Sequence, residues 1–344
     1  MVYWDPVDDR ITVIILNWNG KKFLPECLEA VRKQTHPGLR ITVVDNASTD
    51  GSVEFLRAEH PDVHLVLNGK NLGFAGGNNA GIRDCGTPFL VILNNDTDMH
   101  PDCIAQLKRA MDRDPRIGAC ASRIMLKFEE NRLDAAGISV CADGLALGRG
   151  RMEPAEKYAR EEEVFFASDC CTLYRKSMLD EIGHYDEDFF AYADETDLGW
   201  RARARRWKCV YVPAAAVNHH HSGSSGSVSP FKVYLVERNR ICVAIKNFPP
   251  ALILYGIPYT LSRYFWQAYG ALSGKGRAGE FTGQFSSFRL GLILLKAYWG
   301  AAMLLPKMLA KRRNIRSTCA IPTREYFRLL RVYGMAAKDV ALRD

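Results

Sequence analysis

Short apolar runs that end in polar tips recur along the first hundred residues. Ile11-Thr-Val-Ile-Ile-Leu16 closes on Asn17-Trp-Asn-Gly20, Ile41-Thr-Val-Val44 closes on Asp45, and Phe89-Leu-Val-Ile-Leu93 closes on Asn94-Asn-Asp96-Thr-Asp98, with a further run from Val63 to Leu67. Runs of this length, partly β-branched and bounded by turn residues, predict buried strands. Between them apolar residues recur at helical spacing, as at Phe23, Leu24, Cys27, Leu28 and Val31, and Asn46-Ala-Ser-Thr-Asp50-Gly51 is a turn able to cap a helix over Ser52 to Glu59. The alternation predicts an α/β chain whose mostly parallel, Rossmann-like sheet is flanked by helices. Ligands of such sheets gather beyond the carboxyl ends of the strands, and Asn17, Asn19, Asp45 and Asp96 fall there. One polar strand tip is commonplace; three on neighbouring strands predict a polar cleft.

The remaining pattern fills in around that cleft. Asn71-Leu-Gly-Phe-Ala-Gly-Gly-Asn-Asn79-Ala-Gly81 reads as a Gly-rich loop whose backbone can approach a ligand closely. It has neither Walker A spacing nor the position of a dinucleotide fingerprint. Pro101 to Asp112 is an amphipathic helix with Ile104, Leu107 and Met111 inward, Ile117 to Ala121 a fifth strand, and 124–163 a less regular insertion. Phe189-Phe-Ala-Tyr-Ala-Asp194-Glu195-Thr-Asp197 places three acids at the start of a helix that ends in arginines, which suits the helix dipole at both ends. The aromatic residues just upstream equally suit a carboxylate kept from water, its pKa raised as a general base requires. Cys209 to Val212 is a strand, and Asn218-His219-His220-His221 offers at most one imidazole as a metal ligand. Asp98 reads as a helix cap, and Ser222 to Ser229 as a flexible Ser/Gly segment closing the compact domain.

Charge divides the chain. The net +7 is the balance of −7 over residues 1–229 and +14 over 230–344, where 19 Lys and Arg meet 5 Asp and Glu. The basic part also holds apolar stretches, Phe248 to Leu261 and Leu290 to Leu305 interrupted by Lys296, with Tyr255, Tyr264, Trp266 and Trp299 among them. Such half-length segments predict interfacial helices over residues 248–316 at an anionic membrane surface, with a helical subdomain packed on the catalytic domain or on a second copy of the chain, a homodimer, as the alternative. A nucleic-acid partner is not expected, because no aromatic stacking pattern on a sheet accompanies the basic residues. Ten cysteines without CxxC spacing, several in apolar surroundings, suit a reducing compartment. Met1 to Arg10 is polar and lacks a signal-like core, so an intracellular protein is expected.

Taken in order, the motifs Val13-Ile-Ile-Leu-Asn-Trp-Asn19, Val43-Val-Asp-Asn-Ala-Ser-Thr-Asp50, Asn71-Leu-Gly-Phe-Ala-Gly-Gly-Asn78, Leu93-Asn-Asn-Asp-Thr97, Phe190-Ala-Tyr-Ala-Asp-Glu-Thr-Asp-Leu198 and His219 resemble the inverting family 2 glycosyltransferases, in particular their bacterial rhamnosyltransferase-like branch. The likeness covers roughly residues 10–240. It implies a GT-A fold over 1–229, with a nucleotide-sugar half to about 120 and an acceptor half to 229, and a helical, basic extension over 230–344. It further implies that Asp45 reads the nucleobase, and that Asn17, Asn19, Asn71, Gly73, Gly77, Asn78, Asn94 and Asn95 line the nucleotide-sugar. Asp96 and His219 would hold Mg²⁺ or Mn²⁺, and Glu195, or else Asp194, would deprotonate the acceptor hydroxyl. Asp169, Tyr192 and Trp200 would border the acceptor or the donor sugar. The resemblance implies a dTDP-, UDP- or GDP-linked donor, with dTDP-L-rhamnose foremost, and a polyprenyl-linked or polysaccharide acceptor at the cytoplasmic face of the membrane. Two departures stand out: Asn94 occupies the first place of an Asp-x-Asp motif, and the helix-start acids read Asp-Glu instead of Glu-Asp. A nucleotidyltransferase would need a basic Gly-rich loop after the first strand, which Asn17-Trp-Asn-Gly20 is not. A non-catalytic sugar-nucleotide-binding module remains the third reading.

Overall fold

The computed structural model describes residues 9–220 and 229–342. The expectations for Met1 to Asp8, for His221 and for Ser222 to Val228 lie outside the described residues. The strands are β1 (Ile11–Asn17), β2 (Leu39–Asp45), β3 (His64–Leu67), β4 (Phe89–Asn94), β5 (Thr97–Met99), β6 (Ile117–Leu126), β7 (Leu133–Ala135), β8 (Ile138–Val140), β9 (Ala146–Gly148), β10 (Glu162–Val164), β11 (Cys171–Arg175) and β12 (Lys208–His219). The helices are α1 (Leu24–Arg32), α2 (Ser52–Glu59), α3 (Gly73–Asp84), α4 (Cys103–Met111), α5 (Lys176–Ile182), α6 (Asp194–Ala204), α7 (Pro230–Asn247), α8 (Pro250–Ser273), α9 (Gly276–Gln284), α10 (Ser287–Thr318), α11 (Thr323–Tyr333) and α12 (Ala337–Leu342).

Ten strands form one sheet in the order β10-β12-β6-β11-β4-β1-β2-β3, with β5 on β12 and β7 on β6. The N-terminal part, β4-β1-β2-β3, is parallel. Beyond it the sheet is mixed, because β11 runs antiparallel to both β4 and β6. The apolar runs are continuous because helices cover both faces. Ile14, Leu90 and Ile92 face the layer that includes Ile82 of α3, and Val13, Ile15, Val91 and Leu93 face the layer with Leu24 and Leu28 of α1 and Leu107 of α4. Ile104, Leu107 and Met111 point inward as their spacing predicts.

Three elements depart from the sequence reading. The Gly-rich stretch is a helix, α3, and not a loop. A Cβ on Gly81 would lie 2.6 Å from Ile14 Cγ2, and one on Gly77 2.4 Å from Leu16 Cδ1. These glycines let α3 lie flat on β1 and β2. β12 runs straight through Pro213, which its register break between Val212 and Ala216 accommodates as a bulge. The apolar stretch broken in sequence by Lys296 is part of one 32-residue helix, α10. By length and composition alone, α10 is among the described residues the one helix able to cross a membrane. Its buried stripe, Ile293, Ala297, Ala301 and Met308, lies along one side, and the helix packs on α7. Phe288, Leu295, Trp299 and Met303 stand exposed, as do Leu254, Leu261 and Phe265 of α8.

The helical part is tied to the sheet part by buried ions. Arg263 of α8, fully buried, donates to Asp143 Oδ2 at 2.7 Å and to Glu237 Oε1 of α7 at 2.9 Å. All ten cysteines are free thiols, nine of them buried.

Candidate active site

Sheet register brings the polar tips together. Asn17 lies opposite Asp45, and Leu16 opposite Asn94. Asn17 is fully buried; its Nδ2 donates to Asp45 Oδ2 at 3.0 Å, and its Oδ1 accepts from Asn95 Nδ2 at 2.8 Å. One amide therefore joins the ends of β1, β2 and β4. Asp45 Oδ1 accepts from the Ser48 N–H at 2.8 Å. Asn19, with φ +51°, donates its N–H to Ser48 Oγ at 2.9 Å and accepts from the Thr49 N–H at 2.8 Å. Asn71 Oδ1 accepts from the Gly73 N–H at 2.8 Å and so opens α3. Asn46, which sequence reasoning passed over, links both regions: its Nδ2 donates to Gly73 O at 2.9 Å, and its Oδ1 accepts from Asn68 Nδ2 at 2.8 Å.

Beyond β4 the chain turns into β5, which pairs with the end of β12 so that Thr97 faces His219. His219 Nε2 lies 3.3 Å from Asp96 Oδ1, and its Nδ1 is 2.7 Å from Asp134 Oδ2. Burial opposes a charged imidazole here, but the Cys170 sulfur and the carboxylates of Asp134 and Asp96 outweigh it and hold the ring's pKa well up. Burial likewise acts to raise the Asp96 carboxyl, and the His219 imidazole more than offsets it, leaving that group below its ordinary value. Among the described residues no group of three or more His, Cys, Asp or Glu could enclose a metal ion. Asp96 and His219 nevertheless fit a divalent cation that would take the place of the ring proton these carboxylates stabilise. A carboxylate oxygen and a ring nitrogen face each other at a separation near that of neighbouring ligands roughly 2.0–2.2 Å from one ion. Asp134 orients the ring, as outer carboxylates do for metal-bound histidines. A two-donor set leaves the other positions to water and to oxygens of a substrate. Asp98 is no helix cap; it sits on β5 and accepts from Asn218 Nδ2 at 3.4 Å.

The second half of the site is a cluster of acids. The Asn94 N–H donates to Cys170 O at 2.9 Å, which sets Asp169 beside the end of β4. Both Asp169 oxygens accept from phenols, Oδ1 from Tyr174 and Oδ2 from Tyr185 at 2.9 Å. Burial and the nearby Glu195 charge nonetheless push the Asp169 carboxyl up to about 7. Asp194 is buried with its Oδ1 lacking any partner among the described residues, and burial, then Glu195, Asp169 and Asp197, raise it far above an ordinary carboxyl. Glu195 is partly exposed and is also raised, by burial. Asp197 behaves oppositely: burial would raise it, but Arg201 and Lys246 hold it far down. The dipole reading thus fits Asp197, whereas Asp194 and Glu195 carry an electrostatic cost that a folding role alone does not require.

Comparisons with known proteins place the chain in a family. The family model described as "Glycosyl transferase family 2" matches residues 12–183, half of the chain. The chain belongs to glycosyltransferase family 2. The match ends before Asp194, Glu195 and His219, so it does not speak to them. A relative from Mycobacterium tuberculosis, named N-acetylglucosaminyl-diphospho-decaprenol L-rhamnosyltransferase, is 28% identical over 245 residues, covering 63% of this chain and 78% of its own. The pre-mycofactocin glycosyltransferase of the same species is 25% identical over 320 residues, covering 89% of this chain and 65% of its own. Among solved structures, the mannosyltransferase PcManGT from Pyrobaculum calidifontis, in complex with GDP-Man and Mn²⁺, superposes with a TM-score of 0.52 at 18% identity over 86% of each chain. S. aureus TarS in complex with UDP gives 0.52 at 14% identity, covering 93% of this chain and 91% of that one. These structures share the GT-A fold.

Within this family 2 enzyme, several expected site residues take other positions. Trp200 does not border a pocket: it is buried in the core, stacked on Tyr326 at 5.6 Å and edge-on to Phe165 and Phe248. Gly77 packs against Leu16 and Asn46, and Asn78 is fully buried with its Nδ2 donating to Phe74 O at 3.1 Å, so neither faces the cleft. Tyr192 stays half-buried at the loop before α6, with Lys232 Nζ 5.5 Å from its ring centre. Asp134, Tyr174 and Tyr185 are the supports that sequence reasoning missed; no motif surrounds them. The loop itself is strained. Phe190, Tyr192 and Ala193 have φ of +68°, +68° and +64°, each costing on the order of 1–3 kcal/mol for a residue that is not glycine.

Proposed function

We propose that this chain is an inverting, divalent-metal-dependent glycosyltransferase that moves a sugar, foremost L-rhamnose from dTDP-L-rhamnose, to a hydroxyl of a lipid-linked glycan precursor. The observation that carries the reading is the presence of two groups, Asp96 with His219 and Asp169 with Asp194 and Glu195, linked where the Asn94 N–H donates to Cys170 O. The substrate named for the mycobacterial relative supports the rhamnosyl donor and the lipid-diphosphate acceptor, and the Mn²⁺ named with PcManGT supports the metal.

Each residue then has a task. Asp45, fixed by Asn17 and Ser48, accepts from the ring N–H of the base, and Asn17, Asn19, Asn94 and Asn95 line the nucleotide. Asp96 and His219 are the ligands for Mg²⁺ or Mn²⁺, which when bound supplies Lewis-acid neutralisation of the departing diphosphate. Glu195 is the general base. Its partial exposure gives an acceptor hydroxyl access, and burial raises its pKa, which makes it a stronger proton acceptor than an ordinary glutamate. The acceptor oxygen bonds to the anomeric carbon as the bond from that carbon to the diphosphate oxygen breaks on the opposite face, and the hydroxyl proton passes to Glu195. Burial keeps that carboxyl basic, and the Glu195 charge in turn raises the neighbouring Asp194 and Asp169. The exposed apolar faces of α8 and α10 and the basic residues around them rest on the anionic inner leaflet, which brings a polyprenyl-borne acceptor within reach of the site.

A thermal-shift panel of dTDP-, UDP- and GDP-sugars with and without Mn²⁺ tests this assignment. dTDP-L-rhamnose with Mn²⁺ is expected to give the largest stabilisation. A larger shift with a UDP- or GDP-sugar would overturn the donor, and equal shifts with and without Mn²⁺ would overturn the metal.

A further inference from the structure

We propose that Asn239 and Arg238 of α7, in the part of the chain expected to lie outside the catalytic domain, are positioning residues that hold the strained loop Phe189–Ala193 and thereby aim the carboxyl group of Glu195. The inference rests on the reading of Glu195 as the base.

Asn239 is fully buried. The two hydrogens of its Nδ2 are shared among three loop carbonyls, Phe189 O at 3.0 Å, Ala191 O at 2.8 Å and Tyr192 O at 2.8 Å. Arg238 Nη2 donates to Asp188 O at 3.0 Å and Phe189 O at 2.8 Å. Arg238 Nε also donates to Asn239 Oδ1 at 2.9 Å, which fixes the amide so that its NH₂ group, and not its oxygen, faces the loop. These carbonyls belong to a loop with no ladder partner, and a side-chain amide is what satisfies them.

The loop needs such a hold because three of its residues adopt left-handed φ without being glycine. Conformations of that kind persist only where the surroundings over-determine them. Its other side rests on the start of α3: the Ala75 N–H donates to Phe190 O at 3.2 Å, and a Cβ on Gly73 would lie 2.2 Å from that same oxygen. The loop is thus gripped between the helix that follows the nucleotide-side turn and a helix that carries the membrane-facing α10. Its two ends have separate anchors. Lys246 Nζ donates to Asp186 Oδ2 at 2.7 Å and Asp197 Oδ2 at 2.9 Å, and Asn247 Nδ2 to Asp197 Oδ1 at 2.9 Å. Removing Asn239 therefore relaxes the segment between those anchors, while α6 stays docked.

The test measures kcat, donor KM and the pH dependence of kcat for Asn239→Ala and Arg238→Met in the full-length protein, with Glu195→Gln beside them. A misplacement of about 1 Å costs roughly 10²-fold in rate, so kcat of Asn239→Ala should fall by about that factor while donor KM stays within about twofold. The acid limb of its profile should move toward an ordinary glutamate. A purely structural role would lower the melting temperature and leave kcat and the limb of the folded fraction unchanged, and that result overturns the proposal. Should Asn239→Ala not fold, Arg238→Met decides: a lowered kcat at constant donor KM supports the hold, and an unchanged kcat refutes it. If Glu195→Gln keeps full kcat, the base assignment fails; if Glu195→Gln is inactive while both α7 variants are fully active, the α7 inference alone fails.

Discussion

Replacing Glu195 by Gln keeps the shape of the side chain and removes its ability to take a proton. A positioned general base contributes roughly 10²–10⁴-fold to rate, which corresponds to about 2.7–5.4 kcal/mol at about 1.36 kcal/mol per decade. Loss of kcat in that range is expected, with donor KM little changed, because Asp45 and Asn17, the residues proposed to bind the nucleotide, stand on other elements, at the ends of β2 and β1. Stability should move the opposite way. Glu195 raises both Asp169 and Asp194 by charge repulsion, so the amide relieves two buried acids. The linkage has a definite sign. Asp169 goes from an ordinary 3.8 to about 7 on folding. A raised carboxyl adds stability that is fully present below the unfolded value and lost as pH rises through the folded one. Wild-type stability should therefore decline between about pH 4 and pH 7, and the decline should be shallower in Glu195→Gln. Initial rates from about pH 5 to 9 and melting curves from about pH 4 to 8 check both. In the wild type the acid limb of kcat should lie above the ordinary glutamate value of 4.5, in the direction of the raised Glu195. A Gln variant within about tenfold of wild-type kcat, or one that keeps the same acid limb, would refute the base assignment.

Other consequences concern the frame around the site. Arg263→Met leaves the buried carboxylates of Asp143 and Glu237 with only one of their two shared cations, Arg240; a loss of about 3–5 kcal/mol is expected from denaturant midpoints, and a loss below about 1 kcal/mol would show that Arg263 is not what ties α8 to α7. Gly81→Ala forces a methyl to within 2.6 Å of Ile14; it should cost about 1–3 kcal/mol of stability with donor KM unchanged, whereas a raised KM in a stable variant would return α3 to the ligand-contact role first read from its glycines. Leu295→Asp with Trp299→Asp, both on the exposed face of α10, should abolish sedimentation with vesicles containing anionic lipid; undiminished binding would assign that face to another partner.

The sequence carried the site unevenly, for physical reasons. Leu93-Asn-Asn-Asp96 was legible because a run buried on both faces has no reason to end in amides and an acid unless something polar meets them. The register of parallel strands then aligns Asn17 with Asp45 without further information. The Gly-rich stretch was misread because glycine disfavours helix by about 1 kcal/mol per residue, and what overrides that preference, close packing on Ile14, Val44 and Leu16, is visible only in three dimensions. Trp200 looked like a pocket residue because it stands in a motif rich in acids, yet aromatic residues at helical spacing serve a core equally well. Asp134, Tyr174, Tyr185 and Asn239 left no trace. Their partners are far away in the chain, as with Asp134 and His219, or lie across a loop whose path no periodicity encodes. The boundary expected near residue 229 follows the charge step, whereas the hydrogen bonds of Asn239, Lys246 and Asn247 cross it.

The central claim is a single in-line displacement at the anomeric carbon, and the stereochemistry of one product tests it most directly. Incubation with dTDP-L-rhamnose, Mn²⁺ and a short-chain polyprenyl-diphosphate N-acetylglucosamine, followed by NMR of the purified glycolipid, reads the configuration of the new bond. The account predicts a rhamnosyl product whose anomeric configuration is opposite to that of the donor, formed by the wild type and not by Glu195→Gln. A product that retains the donor configuration, or equal yields from both proteins, would contradict it.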